Sequence, residues 1–179
     1  MERFKHDILR AMDEPRYDLV DKFVPEHDRL AVIVEGLKAA GKKIVFSNGC
    51  FNVIHVGHVR CLAEAKSLGD ILIVGLNSDD SVKALKGDDY PLVPDIERAF
   101  IMSSLECVDY VTIFGGRDCN DLILLLKPHI HAKGSDYTPE NLPEGDVVRS
   151  YGGEIAITGG PKDHSTTAFM KWLAEYKNR

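Results

Sequence analysis

The chain has 179 residues, 44% of them hydrophobic, and a formal net charge of −6. That length and apolar content suit one domain with a buried core, and the acidic balance argues against a broad nucleic-acid surface while leaving room for a local basic pocket. No segment approaches the roughly 20 apolar residues of a membrane span. The charged first residues lack the apolar stretch of a signal peptide. The four cysteines, Cys50, Cys61, Cys107 and Cys119, have no C-x-x-C spacing and suit a reducing, cytoplasmic setting.

In chain order, residues 1–27 are expected to form an N-terminal extension and 28–179 the main domain. Phe4, Ile8 and Met12 fall on one helical face of the extension, Leu19, Val20 and Phe23 follow, and Pro15 and Pro25 punctuate it. A lid, a dimer arm and a packed cap all fit that pattern. Residues 28–41 then read as a helix leading into a buried strand at 42–48. A helix is expected over 58–69, where Val59, Leu62, Ala63 and Lys66 recur at helical spacing and Gly69 ends the run. A second buried strand spans 70–78 and a short helix 79–87; a further helix spans 95–106, with Asp95 as its cap. The remaining strands are placed at 108–114, 129–134 and 154–158, with helices at 118–128, ending by 153, and at 165–179. Continuously apolar strands alternating with helices predict an α/β fold: a Rossmann-like, doubly wound, parallel five-stranded sheet with helices on both faces. Ligands of such sheets sit at the carboxyl ends of the strands.

The segment SNGCFNVIHVGHVR, residues 47–60, lies at the carboxyl end of the first core strand. Gly49 lets the backbone come close to a ligand, and Gly57 does the same beside the helix start. A helix N-terminus offers N–H donors and partial positive charge, which favours phosphate. His55 and His58, three apart, would share a face and aim at an anion resting there. The same spacing arises by chance, and H-x-x-H can ligate zinc, although no third ligand is evident nearby. His129 and His131 alternate across a strand and are read as surface and core positions. A second phosphate signal is GGPKDHSTTAF, residues 159–169, where Ser165, Thr166 and Thr167 would cap the last helix and meet phosphate; an ordinary N-cap uses the same residues. Neither a Walker G-x-x-x-x-G-K-[ST] nor a G-x-G-x-x-G pattern is present.

GCFNVIHVGH resembles the HxGH signature of the cytidylyltransferase-like nucleotidyltransferases, and HSTTAF resembles their C-terminal ISTT-type signature. The resemblance covers roughly residues 28–179. VFSNGCF, GDILIVGLNSDDSVKALKG, ERAFIMSSLECVDYVTIF and LKPHIHAKGSDY are most similar to the adenylyltransferase domain that makes ADP-heptose. What the resemblance implies is nucleotidyl transfer: a phosphate oxygen of the acceptor attacks the α-phosphorus of a nucleoside triphosphate, ATP being favoured, and pyrophosphate leaves. His55 and His58 would then serve catalysis. Lys86 would reach acceptor or nucleotide phosphate from a loop, or else be a solvated helix-end lysine. Nucleotide contacts are implied for Asn48, Gly49, Cys50, Phe51, Gly57, Lys133, Gly134, Asp136, Tyr137, Ser165, Thr166 and Thr167. Arg98 resembles the family's phosphate-facing arginine, with a surface salt bridge as the other reading. Mg²⁺ would be bound mainly through nucleotide phosphates, with no protein ligand named.

The chain departs from the family pattern in three places. Asn52 stands where the family has Asp and would tune the acceptor site, Lys162 is the cation nearest the C-terminal signature, and the extension is not part of the usual small domain. A CTP-dependent enzyme acting on glycerol 3-phosphate or a similar phosphate, and a non-catalytic nucleotide-binding subunit, are the alternatives. The expected partners are the triphosphate and a phosphorylated small molecule, with no nucleic acid and no membrane, in a homodimer or larger homo-oligomer.

Overall fold

The computed structural model describes residues 19–160 together with 172, 175 and 176. Among the described residues five strands form one parallel sheet: β1 Ile44–Gly49, β2 Ile71–Asn77, β3 Tyr110–Phe114, β4 Ile130–Gly134 and β5 Glu154–Thr158. Their order is β3-β2-β1-β4-β5. The helices are α1 Leu19–Lys22, α2 His27–Ala39, α3 Val56–Ser67, α4 Asp79–Lys86, α5 Asp95–Ser103, α6 Asn120–Leu126 and α7 Gly145–Ser150.

The strands are largely apolar because both faces are covered, and the pleat sends alternate residues to different cores. Val45 points to one core with Leu62 and Ala65 of α3 and Ala99 and Met102 of α5. Ile44 and Phe46 point to the other, with Leu30 and Val34 of α2 and Leu122, Ile123 and Leu126 of α6. Burying each such large aliphatic side chain is worth about 1.5–3 kcal/mol of transfer free energy. The expected doubly wound fold is therefore the one observed.

Most boundaries shifted by one or two residues, and three of the shifts have a clear local reason. α3 begins at Val56, before the expected position, because His55 caps it with its side chain. α5 is capped by Pro94; Asp95 lies inside the first turn, where its carboxylate accepts from Asp79 N at 3.1 Å. That helix also stops at Ser103, where the Ser104 N–H turns back to the carbonyls of Phe100 and Ile101. The described end of the extension packs on the sheet edge. Phe23 bridges to Val111 in parallel, the Val24 N–H donates to Val111 O at 2.8 Å, and Val24 is buried. The expected face of Phe4, Ile8 and Met12 lies outside the described residues. Trp172, Glu175 and Tyr176 are helical, and Trp172 stacks on Tyr176 with ring centroids 5.4 Å apart.

Candidate active site

The chain winds from β1 to β2 to β3 in one direction, then returns to place β4 and β5 on the far side of β1. At such a switch point the loops after neighbouring strands diverge and leave a crevice. A cleft of about 490 Å³ occupies that place. Asn48, Gly49, Cys50, Phe51, Asn52, His55, Gly57, His58, Lys86, Lys133, Gly134, Asp136 and Tyr137 line it, so one wall gathers residues separated widely in sequence. Ser165, Thr166, Thr167 and Lys162 lie outside the described residues.

The two histidines are fixed by the helix they start. Gly57 N–H donates to His55 Nδ1 at 3.2 Å, and His55 N–H donates to His58 Nδ1 at 3.4 Å. This reciprocal cap satisfies backbone donors that a helix start otherwise leaves unpaired. It also sets the tautomer: a neutral ring that accepts at Nδ1 carries its proton on Nε2. The rings stack at 3.9 Å, and Phe51 meets His58 edge-on at 5.3 Å. Gly49 makes room for Phe51, since a Cβ there would stand 3.1 Å from the phenyl ring. Gly159, at φ +95° just after β5, packs against Cys61 of α3.

Asn52 ties this loop to the segment before α5. Its Oδ1 accepts from Leu92 N at 2.7 Å and from Val93 N at 3.3 Å, while its buried Nδ2 has no partner. Arg98 is placed differently from the expectation. It does not line the cleft and is fully buried. Its guanidinium donates to Val93 O at 2.9 Å, Cys50 O at 2.7 Å and Asp79 Oδ1 at 2.8 Å. A planar, permanently charged fork suits three acceptors in fixed directions, so Arg98 holds the Cys50–Asn52 loop instead of facing phosphate.

On the β4 side Lys133 and Glu144 form a buried ion pair at 3.2 Å. Asn48 bridges them: its Oδ1 accepts from Lys133 Nζ at 2.7 Å, and its Nδ2 donates to Glu144 Oε1 at 3.1 Å. Burial works to raise the Glu144 carboxyl, but the charge of Lys133, followed by His131 and two hydrogen bonds, holds it below the ordinary carboxylate value. Sequence reasoning missed Glu144, Arg60, Arg117, Asp118 and Ser135, all of which line the cleft. Arg117, Asp118 and Ser135 follow the carboxyl ends of β3 and β4, so the rule that places ligands there was a usable signal. Glu144 had none, since an acid before a helix is commonplace.

His131 is fully buried, and neither ring nitrogen has a partner. Burial, reinforced by Lys133, pushes its pKa down to about 4 from 6.5. An unfolded chain then binds more protons between these two values. The stability due to the neutral ring is complete above pH 6.5 and is lost as pH falls toward 4. Urea unfolding should therefore show the wild type losing on the order of 1 kcal/mol per pH unit across this window. His131→Leu should flatten that slope and raise stability near pH 5. An unchanged slope would assign the pH dependence to another group.

Residues 46–166 match the family described as cytidylyltransferase-like. The chain belongs to the cytidylyltransferase-like family. The membership expected from its HxGH segment is thus borne out. The chain is 48% identical over 155 residues to the bifunctional protein HldE of Pelobacter propionicus and 51% identical over 147 residues to that of Geobacter metallireducens. Those alignments cover 87% and 82% of this chain but 32% and 30% of the relatives, so it spans about a third of their length. Among solved structures it resembles a lipopolysaccharide core biosynthesis protein from Thermoplasma volcanium, with TM-score 0.56 and 26% identity over 65% of this chain and 94% of that one. The likeness to a pantoate-beta-alanine ligase from Francisella tularensis, TM-score 0.59 at 17% identity, covers 81% of this chain and 68% of that one and shows the fold alone. Among the described residues no helix is long and apolar enough to cross a membrane.

Proposed function

We propose that this member of the family transfers a nucleotidyl group from a nucleoside triphosphate to a sugar phosphate, and that its reaction is ATP plus a heptose 1-phosphate giving ADP-heptose and pyrophosphate. The observation that carries the reading is the interlocked pair His55 and His58 at the start of α3, inside the cleft at the sheet's switch point. The narrower choice of substrates is supported by the segments that resemble the ADP-heptose branch and by the likeness to a lipopolysaccharide core biosynthesis protein. A place in cytoplasmic synthesis of a cell-surface polysaccharide follows from the same reading.

An acceptor phosphate is already ionised, so its oxygen attacks the α-phosphorus directly. The new P–O bond forms as the bond to the β-phosphate breaks, and pyrophosphate takes the electron pair. Alignment and charge stabilisation are then the protein's task. The Nε2–H groups of His55 and His58 serve as donors to the phosphate oxygens, and the N–H groups opening α3 add to them. Lys86, exposed at the end of α4 and on the cleft wall, supplies a cation.

Among the described residues no cluster of three or more His, Cys, Asp or Glu side chains could hold a metal ion by itself. This fits Mg²⁺ that would enter with the nucleotide phosphates, and the exposed carboxylate of Asp118 on the cleft wall would be the protein oxygen to join it. When bound, Mg²⁺ neutralises phosphate charge.

The test is a pyrophosphate-release screen of four triphosphates against sugar and polyol phosphates. ATP with heptose 1-phosphate should give the highest kcat/KM. CTP with glycerol 3-phosphate ahead would overturn the branch and keep the chemistry, and no productive pair would favour a binding subunit. Within this reading Asn52→Asp should raise the acceptor KM roughly 10-fold and leave the ATP KM nearly unchanged, because a carboxylate replaces a neutral donor beside an anionic substrate. An inert wild type whose activity appears only in Asn52→Asp would make the natural chain a binding subunit.

A further inference from the structure

The carboxylate of Glu144 is used on one side only. Oε1 accepts from Lys133 Nζ at 3.2 Å, from Asn48 Nδ2 at 3.1 Å and from Cys119 Sγ at 3.6 Å. Oε2 is buried and accepts from nothing. Leaving a buried, charged oxygen without a donor is costly, and more so than for a neutral group. His131, a titratable group whose charge acts on Glu144, brings no hydrogen bond, since both of its nitrogens are also unpartnered. Glu144 nevertheless belongs to the cleft wall. The missing donor can therefore arrive with a ligand.

The chemistry of that ligand is restricted. Phosphate oxygens at neutral pH carry no proton to give, and a carboxylate repels them. The donor must be a neutral O–H or N–H, so Glu144 faces a part of the ligand that is not phosphate. Tyr137, also on the wall, sets its ring 5.2 Å from Lys133 Nζ, a flat surface beside the ion pair suited to a planar base or a ribose.

We propose that Glu144 is a specificity-determining residue whose Oε2 accepts a hydrogen bond from the nucleoside part of the bound triphosphate, from either a ribose hydroxyl or an exocyclic amine of the base. The inference rests on the nucleotidyltransferase reading. Asn48 and Lys133 hold the carboxylate in one orientation, so an ill-matched nucleoside leaves the oxygen bare, and a site of this kind discriminates strongly.

The experiment is calorimetric titration of the full chain with ATP, 2′-deoxy-ATP, 3′-deoxy-ATP and the purine riboside triphosphate that lacks the amine, in wild type and in Glu144→Gln, alongside pyrophosphate release. One analogue should bind wild type about 10- to 100-fold more weakly than ATP, and its identity names the donor. In Glu144→Gln the ratio between ATP and that analogue should collapse toward one, because the amide presents N–H₂ where Oε2 was. A merely structural role would lower all four affinities together and keep their ratios. All four affinities within about twofold in the wild type would overturn the proposal whatever the variant does, and would assign the bare oxygen to a buried water. That result with pyrophosphate release intact sinks this inference alone; absence of both ATP binding and pyrophosphate release sinks the functional reading with it.

Discussion

His55→Ala and His58→Ala each lower turnover by about 10²–10³-fold, the usual scale for removing one donor to transition-state charge. The expectation follows from the interlock at the start of α3. Each Nδ1 accepts from a backbone N–H, so a neutral ring carries its proton on Nε2, and that is the proton a phosphate oxygen would accept. Because the two caps are reciprocal, losing one ring also loosens the other, so the double variant should be little worse than either single one. Stability should drop by no more than about 1 kcal/mol, the worth of a side-chain cap. Pyrophosphate release at saturating substrates checks the first point and urea midpoints the second. Turnover within threefold of wild type in both single variants would remove the pair from the mechanism.

Lys133→Ala should have the largest effect on stability, a loss of about 3–5 kcal/mol, because it strands a buried carboxylate. The pH dependence supplies the sign. In the wild type the Glu144 pKa lies below its ordinary 4.5, so the pair's contribution is complete above that value and is lost as acid takes the pH through the lower folded pKa. Without Lys133, burial dominates and the carboxyl shifts upward. The variant's deficit should therefore be greatest at neutral pH and shrink toward pH 5, as protonation removes the stranded charge. The double variant Lys133→Met with Glu144→Leu should recover most of the loss, since an apolar pair of similar volume needs no counter-charge. A Lys133→Ala deficit below about 1 kcal/mol at pH 7 would mean that water reaches the pair and that it is not a buried one.

The sheet, its parallel sense and the location of the cleft were legible in the sequence, because they rest on local and periodic signals. Ile44, Val45 and Phe46 are apolar in succession, which a strand tolerates only when both faces are covered. Gly49, His55, Gly57 and His58 could be read together because one strand end and one helix start contain them all. Even there the start of α3 was misplaced, since a histidine cap is not among the usual capping residues. Tertiary structure alone decided the partnerships that cross the sheet. Asn48 and Lys133 are 85 residues apart, and Asn48 and Glu144 are 96 apart. They meet because β4 lies beside β1, with Ser47 in register with Ala132, and alternation of strands and helices does not specify that neighbour. Arg98 shows the same limit from the other direction. Its place on a helix suits a surface or phosphate-facing arginine, but packing of α5 onto the sheet buries it completely against the carbonyls of Cys50 and Val93. Period and capping are properties of contiguous residues, whereas the cost and reward of burying a charge depend on which strands the chain brings side by side.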